Sequence, residues 1–117
     1  MDFVIFERQL RKAYSLSTSS YTFEECLAVF LLYFNAYRLC TGEDHPHIKT
    51  DNLVKLLNDI DGHTLYDAGI MPYYFDPAEY PDMVTKYFDT YFDNCDGNIC
   101  HFFSGKIRAL RFFEACY

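Results

Sequence analysis

Residues 23–42 read FEECLAVFLLYFNAYRLCTG, and from Cys26 to Phe34 nine consecutive side chains are apolar. Nine is too few to span a bilayer, which asks for about 20. Thr22 stands three positions before Glu25, the spacing at which a threonine hydroxyl and a glutamate cap each other's backbone N–H groups. Gly42 supplies a stop, since glycine accepts the left-handed conformation that ends many helices. The stretch therefore reads as a helix over 23–40. A helix that is apolar on nearly every side is surrounded by other elements, so this one is placed at the centre of the fold.

Its neighbours follow from periodicity. Phe3, Phe6, Leu10 and Tyr14 recur at steps of three and four, one stripe on a helix over 2–15. The polar run SLSTSSYT then breaks it. In EDHPHIKTDNLVKLLNDIDG, Thr50 or Asp51 caps a third helix, Leu53, Leu56 or Leu57, and Ile60 face inward, and Asp61-Gly62 ends it. Residues 63–80 read as a long Tyr-rich, acidic connector, and long connectors often carry function. Pro81 suits the first turn of a fourth helix over 81–93, with Val84, Tyr87, Phe88, Tyr91 and Phe92 on one side. SGKIRALRFFEACY makes a last helix, Ser104 its cap and Ile107, Leu110 and Phe113 its stripe. No stretch alternates as a strand does. The expected fold is all-α: a single domain over 1–117, a compact bundle of about five helices.

Composition fits one domain of 117 residues, half of them apolar, with 11 Tyr and 12 Phe. Five Gly and four Pro leave little room for long disordered tracts. The cysteines, Cys26, Cys40, Cys95, Cys100 and Cys116, are odd in number and irregular in spacing. They read as free thiols in a reducing cytosol. The first residues, MDFVIFERQLRKAY, mix acids and bases through an apolar pattern and do not resemble a signal peptide. Cytoplasmic residence is the expectation.

FDNCDGNICHFF, residues 92–103, raises the question of a metal. A calcium loop needs oxygen ligands at positions one, three and five, glycine at six and a bidentate glutamate at twelve. With Gly97 sixth, Phe92 falls first and Phe103 twelfth; the similar LNDIDGHTLYDA around Gly62 puts Leu57 first and Ala68 twelfth. Both fail at the ligands that matter most. Cys95, Cys100 and His101 form a C-x4-C-H cluster, with Cys40, His45 and His47 upstream, which makes zinc the alternative. The preferred reading is a joint. Asp96-Gly97 turns the chain, and Asn98 caps a helical turn carrying Ile99, Phe102 and Phe103 into the core. No cofactor is expected.

Over about residues 85–114 the segment FDNCDGNICHFFSGKIRALRFFE resembles the C-terminal part of short acidic uncharacterised proteins of Firmicutes phages and mobile elements. The likeness lies in an acidic-Cys-Asp turn, an apolar-His-Phe step, a Ser-Gly break and an Ile-Arg-x-x-Arg-Phe helix. It implies a viral or mobile-element setting, hence a host cytoplasm. Small acidic proteins there often act as inhibitors of host defence, anti-CRISPR proteins among them.

No G-x-S-x-G, phosphate-binding glycine loop or HExxH is present. His45 and His47 flank Pro46 in a polar turn and are expected in solvent. Pairs such as Asp93 and Asp96 come cheaply in a chain with eleven Asp. A non-enzymatic protein is therefore expected, a small metal or thiol enzyme being one alternative.

Charge carries the functional reading. The chain has net charge −7, and the segment from Leu56 to Gly105 holds nine acids against Lys86, net −8. Crowded like charges cost stability; solubility is the plain explanation, and recognition is the other. Carboxylates beside rigid Tyr rings suit an Arg- and Lys-rich groove, because guanidinium groups fork onto carboxylates and stack on aromatic faces. Such a surface mimics DNA. The contact candidates are Asp76, Glu79, Asp82, Asp89, Asp93 and Asp96, with Tyr73, Tyr74 and Tyr80. The expected partner is a basic protein surface, such as that of a nucleic-acid-binding host effector, and not nucleic acid or membrane. An exposed aromatic patch also allows a homodimer. The second alternative is a nucleic-acid-associated regulator using the basic helix ends, Arg8, Arg11 and Lys12 with Lys106, Arg108 and Arg111.

Overall fold

The computed structural model describes residues 2–90 and 96–116. Among them every regular element is helical: α1 (Phe3–Leu16), α2 (Phe23–Thr41), α3 (Thr50–Asn58), α4 (His63–Asp67), a 3-10 turn (Pro77–Glu79), α5 (Tyr80–Asp89), α6 (Ile99–Phe103) and α7 (Ile107–Cys116). Five are full helices. α4 and α6 are single turns of five residues that redirect the chain. The Cα radius of gyration is 13.6 Å. α1 packs on α3, and α5 packs between α2 and α7.

α2 packs against α1 and α5 and buries one face, Phe23, Cys26, Val29, Phe30, Tyr33, Phe34 and Tyr37, where its composition predicts burial on nearly every side. Thr22 Oγ1 accepts from the Glu25 N–H while the Glu25 carboxylate accepts from the Thr22 N–H, closing the capping box at one end. Gly42, at φ 76°, closes the other. Phe30 and Phe34 meet Phe6 of α1 with ring centroids 5.8 and 5.0 Å apart. Tyr33 meets Tyr87 of α5 and Phe102 of α6. Each such contact adds about 0.5–1.5 kcal/mol to what burial alone gives. One flank of α2, at Glu24, Ala28 and Leu32, is left uncovered.

The corrections concern which face turns in. Phe3 is exposed, whereas Phe6 and Leu10 of the expected stripe are buried together with Ala13, and Tyr14 is half-buried. Asp2 caps it, accepting from the N–H groups of Val4 and Ile5. α3 starts after Lys49, with no side-chain cap from Thr50 or Asp51. The 63–80 connector is not wholly irregular, since it holds α4 and the 3-10 turn. α7 departs furthest. It buries Arg108, Ala109 and Phe112, and leaves Leu110 exposed. Ser104 ends α6 rather than capping α7, its hydroxyl donating back to the His101 carbonyl. The cause is Arg108, which has buried partners waiting and turns the helix with it.

His45 is also corrected: it is buried, not solvated, while His47 is exposed. Its Nδ1–H donates to the Pro46 carbonyl at 2.8 Å, and its Nε2 accepts from the Ile99 N–H at 3.0 Å. The ring thus pins the loop after α2 to the start of α6, and only the neutral form can do so. Burial holds its pKa below the usual histidine value, against the opposing pull of the Pro46 bond and the Asp96 carboxylate. A depressed histidine contributes stability above its unfolded pKa and loses it as pH falls. His63 runs the other way, its pKa raised by the bond to Asp61, so its contribution fades as pH rises. In a His63→Asn background the urea midpoint is expected to fall between about pH 7.5 and about pH 5.5. Equilibrium unfolding at the two pH values checks this. A midpoint that holds or rises counts against the His45 tie.

Candidate docking surface

α5 begins where the proline and acid positions of its sequence allow. Asp76 caps the preceding 3-10 turn by accepting from the Ala78 N–H, and Glu79 reaches back to the Asp76 N–H, each at 2.9 Å. Pro77 and Pro81 occupy first-turn positions that need no N–H donor. Tyr80, Met83, Val84 and Tyr87 turn inward. Pro81, Asp82, Thr85 and Asp89 are therefore left facing out as a ridge.

A depression lies on each side of that ridge. Toward α2 is an open groove of about 480 Å³, lined by Glu24, Glu25, Ala28, Val29, Leu32, Pro77, Ala78 and Pro81. Its floor is apolar, and its charged members are two carboxylates. Toward α7 is a shallow cleft of about 300 Å³ lined by Asp82, Thr85, Lys86, Asp89, Glu114 and Ala115. Three carboxylates face one ammonium there. The first depression is apolar along its floor, and the second is net acidic, with Glu114 also paired to Arg111 at 3.2 Å.

The predicted contact residues divide between this ridge and other places. Asp82 and Asp89 share the cleft. Asp76 and Glu79 lie outside the cleft, at the 3-10 turn before α5, where Asp76 accepts from the Ala78 N–H and Glu79 from the Asp76 N–H. Tyr74 meets Tyr66 edge-on at 5.1 Å and lies 6.2 Å from His63, an exposed aromatic cluster on the α4 side. Tyr73 is exposed and meets Phe112 of α7. Asp96 accepts from the Asn98 N–H and lies toward His45, away from the ridge. Tyr80 is a correction. It is fully buried, its hydroxyl donates to the Ile60 carbonyl, and burial pushes its pKa to about 12. It cannot touch a partner. Asp93 lies outside the described residues.

The other candidates also have places. Cys95 lies outside the described residues. Cys100 packs half-buried against the core, and the His101 ring pairs with the Tyr87 hydroxyl at 2.7 Å. Cys26, Cys40, Cys100 and Cys116 are free thiols. Of the basic ends, Arg108 is 1% exposed and Arg111 is bonded to Thr90 and Glu114, so neither is offered to phosphates. Arg8, Arg11, Lys12 and Lys106 remain on the surface, Arg11 beside Glu7 and over the Phe23 ring.

One cluster escapes a reading by motif. Asp59, Asp61 and His63 bring their ligand-type atoms within 4.8 Å of one another. The DIDGH spelling of 59–63 was the available signal. Every carboxylate oxygen there already has a protein donor. Asp59 accepts from Thr64 N–H, Thr64 Oγ1 and Arg108, and Asp61 accepts from Ser20 Oγ and from His63. Burial raises the Asp61 pKa, and the bonds from His63 and Ser20 outweigh it and leave it lowered. The guanidinium of Arg108, 2.6 Å from Asp59, stands where a metal's charge would be needed. The cluster is a structural junction.

Among the described residues no helix is long and apolar enough to cross a membrane. Compared with known proteins, the chain matches no family model, no curated protein and no solved structure.

Proposed function

We propose that this chain is a non-enzymatic interaction protein that docks a basic segment of a nucleic-acid-handling partner along α5 and modulates or blocks it. A phage-type inhibitor of host defence, anti-CRISPR-like and acting in the host cytoplasm, is the role we assign it. The observation that supports this reading most is the ridge of Pro81, Asp82, Thr85 and Asp89, with an apolar groove on one side and an acidic cleft on the other. That pairing asks for an amphipathic partner segment: aliphatic side chains for the groove, arginine or lysine for the cleft. The phage setting implied by the C-terminal resemblance agrees with a cytoplasmic, defence-related target.

The nine acids contribute unequally. Asp59 and Asp61 are held inside by Arg108, Ser20 and His63, so the recognition charge is narrower than the sequence suggests. It rests on Asp82 and Asp89, with Glu24, Glu114 and the pair Asp76 and Glu79 around them. The basic-end alternative loses Arg108 to the core and Arg111 to internal bonds and keeps Arg8, Arg11, Lys12 and Lys106 at the surface.

Reversing charge at the ridge is the test. Like charges placed across an interface cost several kcal/mol, so Asp82→Lys with Asp89→Lys is expected to weaken partner retention by at least about 100-fold. Both positions are exposed on a helix, so the double variant is expected to keep its helical circular dichroism, which is to be checked first. The measurement is retention of a captured nucleic-acid-handling effector on immobilised wild type and variant, at low and at high salt. Screening should release the partner from wild type. Equal retention by the variant, or retention indifferent to salt, defeats the reading.

A further inference from the structure

We propose that the groove between α2 and α5 also receives the outer face of α1 from a second copy of this chain, so that the protein associates head to tail. The inference goes beyond the reading above: it shares the groove and needs no foreign partner.

The outer face of α1 has the chemistry that the groove lacks. Phe3, Val4 and Ile5 are three consecutive large apolar side chains, 56%, 66% and 61% exposed, in the first turn. Exposed apolar clusters of this kind mark contact surfaces. Val4, Arg8, Arg11 and Lys12 follow at steps of four, three and one, which places them along one side of the helix. All four are exposed. Phe3 and Ile5 stand about 100° to either side of Val4, so this side opens on Val4 between two apolar flanks and is cationic along its body. There Arg11 also meets Glu7 at 3.9 Å and lies 4.1 Å over the Phe23 ring. The groove is apolar along its floor, at Ala28, Leu32, Ala78 and Pro81, and anionic at its rim, at Glu24 and Glu25. Each surface supplies what the other asks for, both in oil-like area and in sign of charge.

The groove's own carboxylates, Glu24 and Glu25, lie outside the acidic stretch of the chain, which lines the groove through Pro77, Ala78 and Pro81. Acid is concentrated between Leu56 and Gly105, and the rest of the chain is net positive by one. Two copies meeting acid to acid repel, whereas α1 against α5 and α2 attracts. Because the two faces differ, the contact is heterologous rather than two-fold. Each junction leaves one α1 face and one groove unfilled, so further copies can add as a ring or an open chain. A groove filled by a second copy is closed to the basic partner, which makes association a concentration-dependent brake on docking.

Sedimentation velocity over a range of protein concentration and salt tests the proposal, with two variants. Phe3→Glu with Val4→Glu removes the apolar turn and places acid at a helix N-terminus, where the backbone dipole favours it, so α1 persists. Ala28→Lys lays a cationic chain across the groove floor from an exposed helical position. Wild type is expected to grow in sedimentation coefficient with concentration, the association weakening at least about tenfold at high salt. Each variant alone is expected to stay monomeric. Mixed in equal amounts they should form a one-to-one dimer and nothing larger, because one intact face and one intact groove remain between them.

A wild type that stays monomeric at all concentrations overturns the proposal. So does association that Ala28→Lys leaves intact, which would mean α1 pairing on α1. A mixture that fails to pair overturns it as well. Wild type that is monomeric yet co-floats with phosphatidylglycerol vesicles assigns the α1 face to lipid and also overturns it. The two readings fail separately. The Phe3→Glu, Val4→Glu variant keeps its groove and should still retain the basic partner, whereas Asp82→Lys with Asp89→Lys is the variant that loses it.

Discussion

Arg108→Ala is expected to destabilise the fold by about 3–5 kcal/mol, the usual cost of leaving one member of a buried ion pair without the other. The guanidinium is 1% exposed and lies where five segments meet. Nη1 donates to the Asp59 carbonyl at 2.7 Å and to the Tyr80 hydroxyl at 3.1 Å, and Nη2 donates to the Asp59 carboxylate at 2.6 Å. Its flat face lies 4.4 Å from the Phe103 ring centroid and 5.6 Å from that of Phe75. Alanine would leave a carboxylate and a carbonyl at the end of α3 without their cation, and a void between two rings. Urea unfolding should show a lowered midpoint with little change in slope. Arg108→Lys should recover part of the loss, since an ammonium can meet one acceptor but cannot fork or stack. A loss below about 1 kcal/mol would place the pair with ordinary surface bridges and remove Arg108 from the centre of this account.

Gly62→Ala is expected to cost about 2–5 kcal/mol, from two separate causes. Gly62 sits at φ 71° between α3 and α4, and a side chain in that left-handed region costs about 1–2 kcal/mol. A Cβ there would also come within 2.4 Å of Cδ2 in the Phe75 ring. That ring is 2% exposed and held between Tyr80, Phe112 and Arg108, so it cannot swing aside, and overpacking adds about 1–3 kcal/mol. Gly69, at φ 75° with nothing within 4 Å, provides the control. Gly69→Ala should show the backbone cost alone, and the difference between the two midpoints measures the Phe75 clash. Equal midpoints would show that the ring yields.

The bundle was legible where one signal acted alone. Thr22, Glu25 and Gly42 bound α2 in sequence as in space, and Asn98 caps the short turn as its position predicts, by accepting from the Cys100 N–H. Leu53, Leu56, Leu57 and Ile60 turn inward as their spacing requires. The reading failed where a polar residue displaced an apolar one. No periodicity predicts that Arg108 enters the core while Leu110 leaves it, because the reason is Asp59, 49 positions away. His45 was misread for the same reason: its partner is the Ile99 N–H, 54 positions on. Of the proposed docking surface, the charge of α5 was legible in the sequence, and the structure leaves Asp82 and Asp89 exposed. The Glu24, Ala28 and Leu32 flank was not legible. It lies on a helix whose composition implies burial all round, and only the placement of its neighbours leaves that side open.

Four phenols end on backbone carbonyls. Tyr14 donates to Tyr21, Tyr21 to Phe75, Tyr33 to Gly97 and Tyr80 to Ile60, and each acceptor lies outside the body of a helix. Carbonyls in such stretches ordinarily turn to water, and the chain around them wanders. Three of these rings, Tyr21, Tyr33 and Tyr80, lie in the interior and Tyr14 packs at its edge. The stretches they hold can therefore loosen only when the packing around the rings does. A ligand approaching the acidic side would meet a mould already set, and complex formation should proceed without the ordering penalty of a floppy segment.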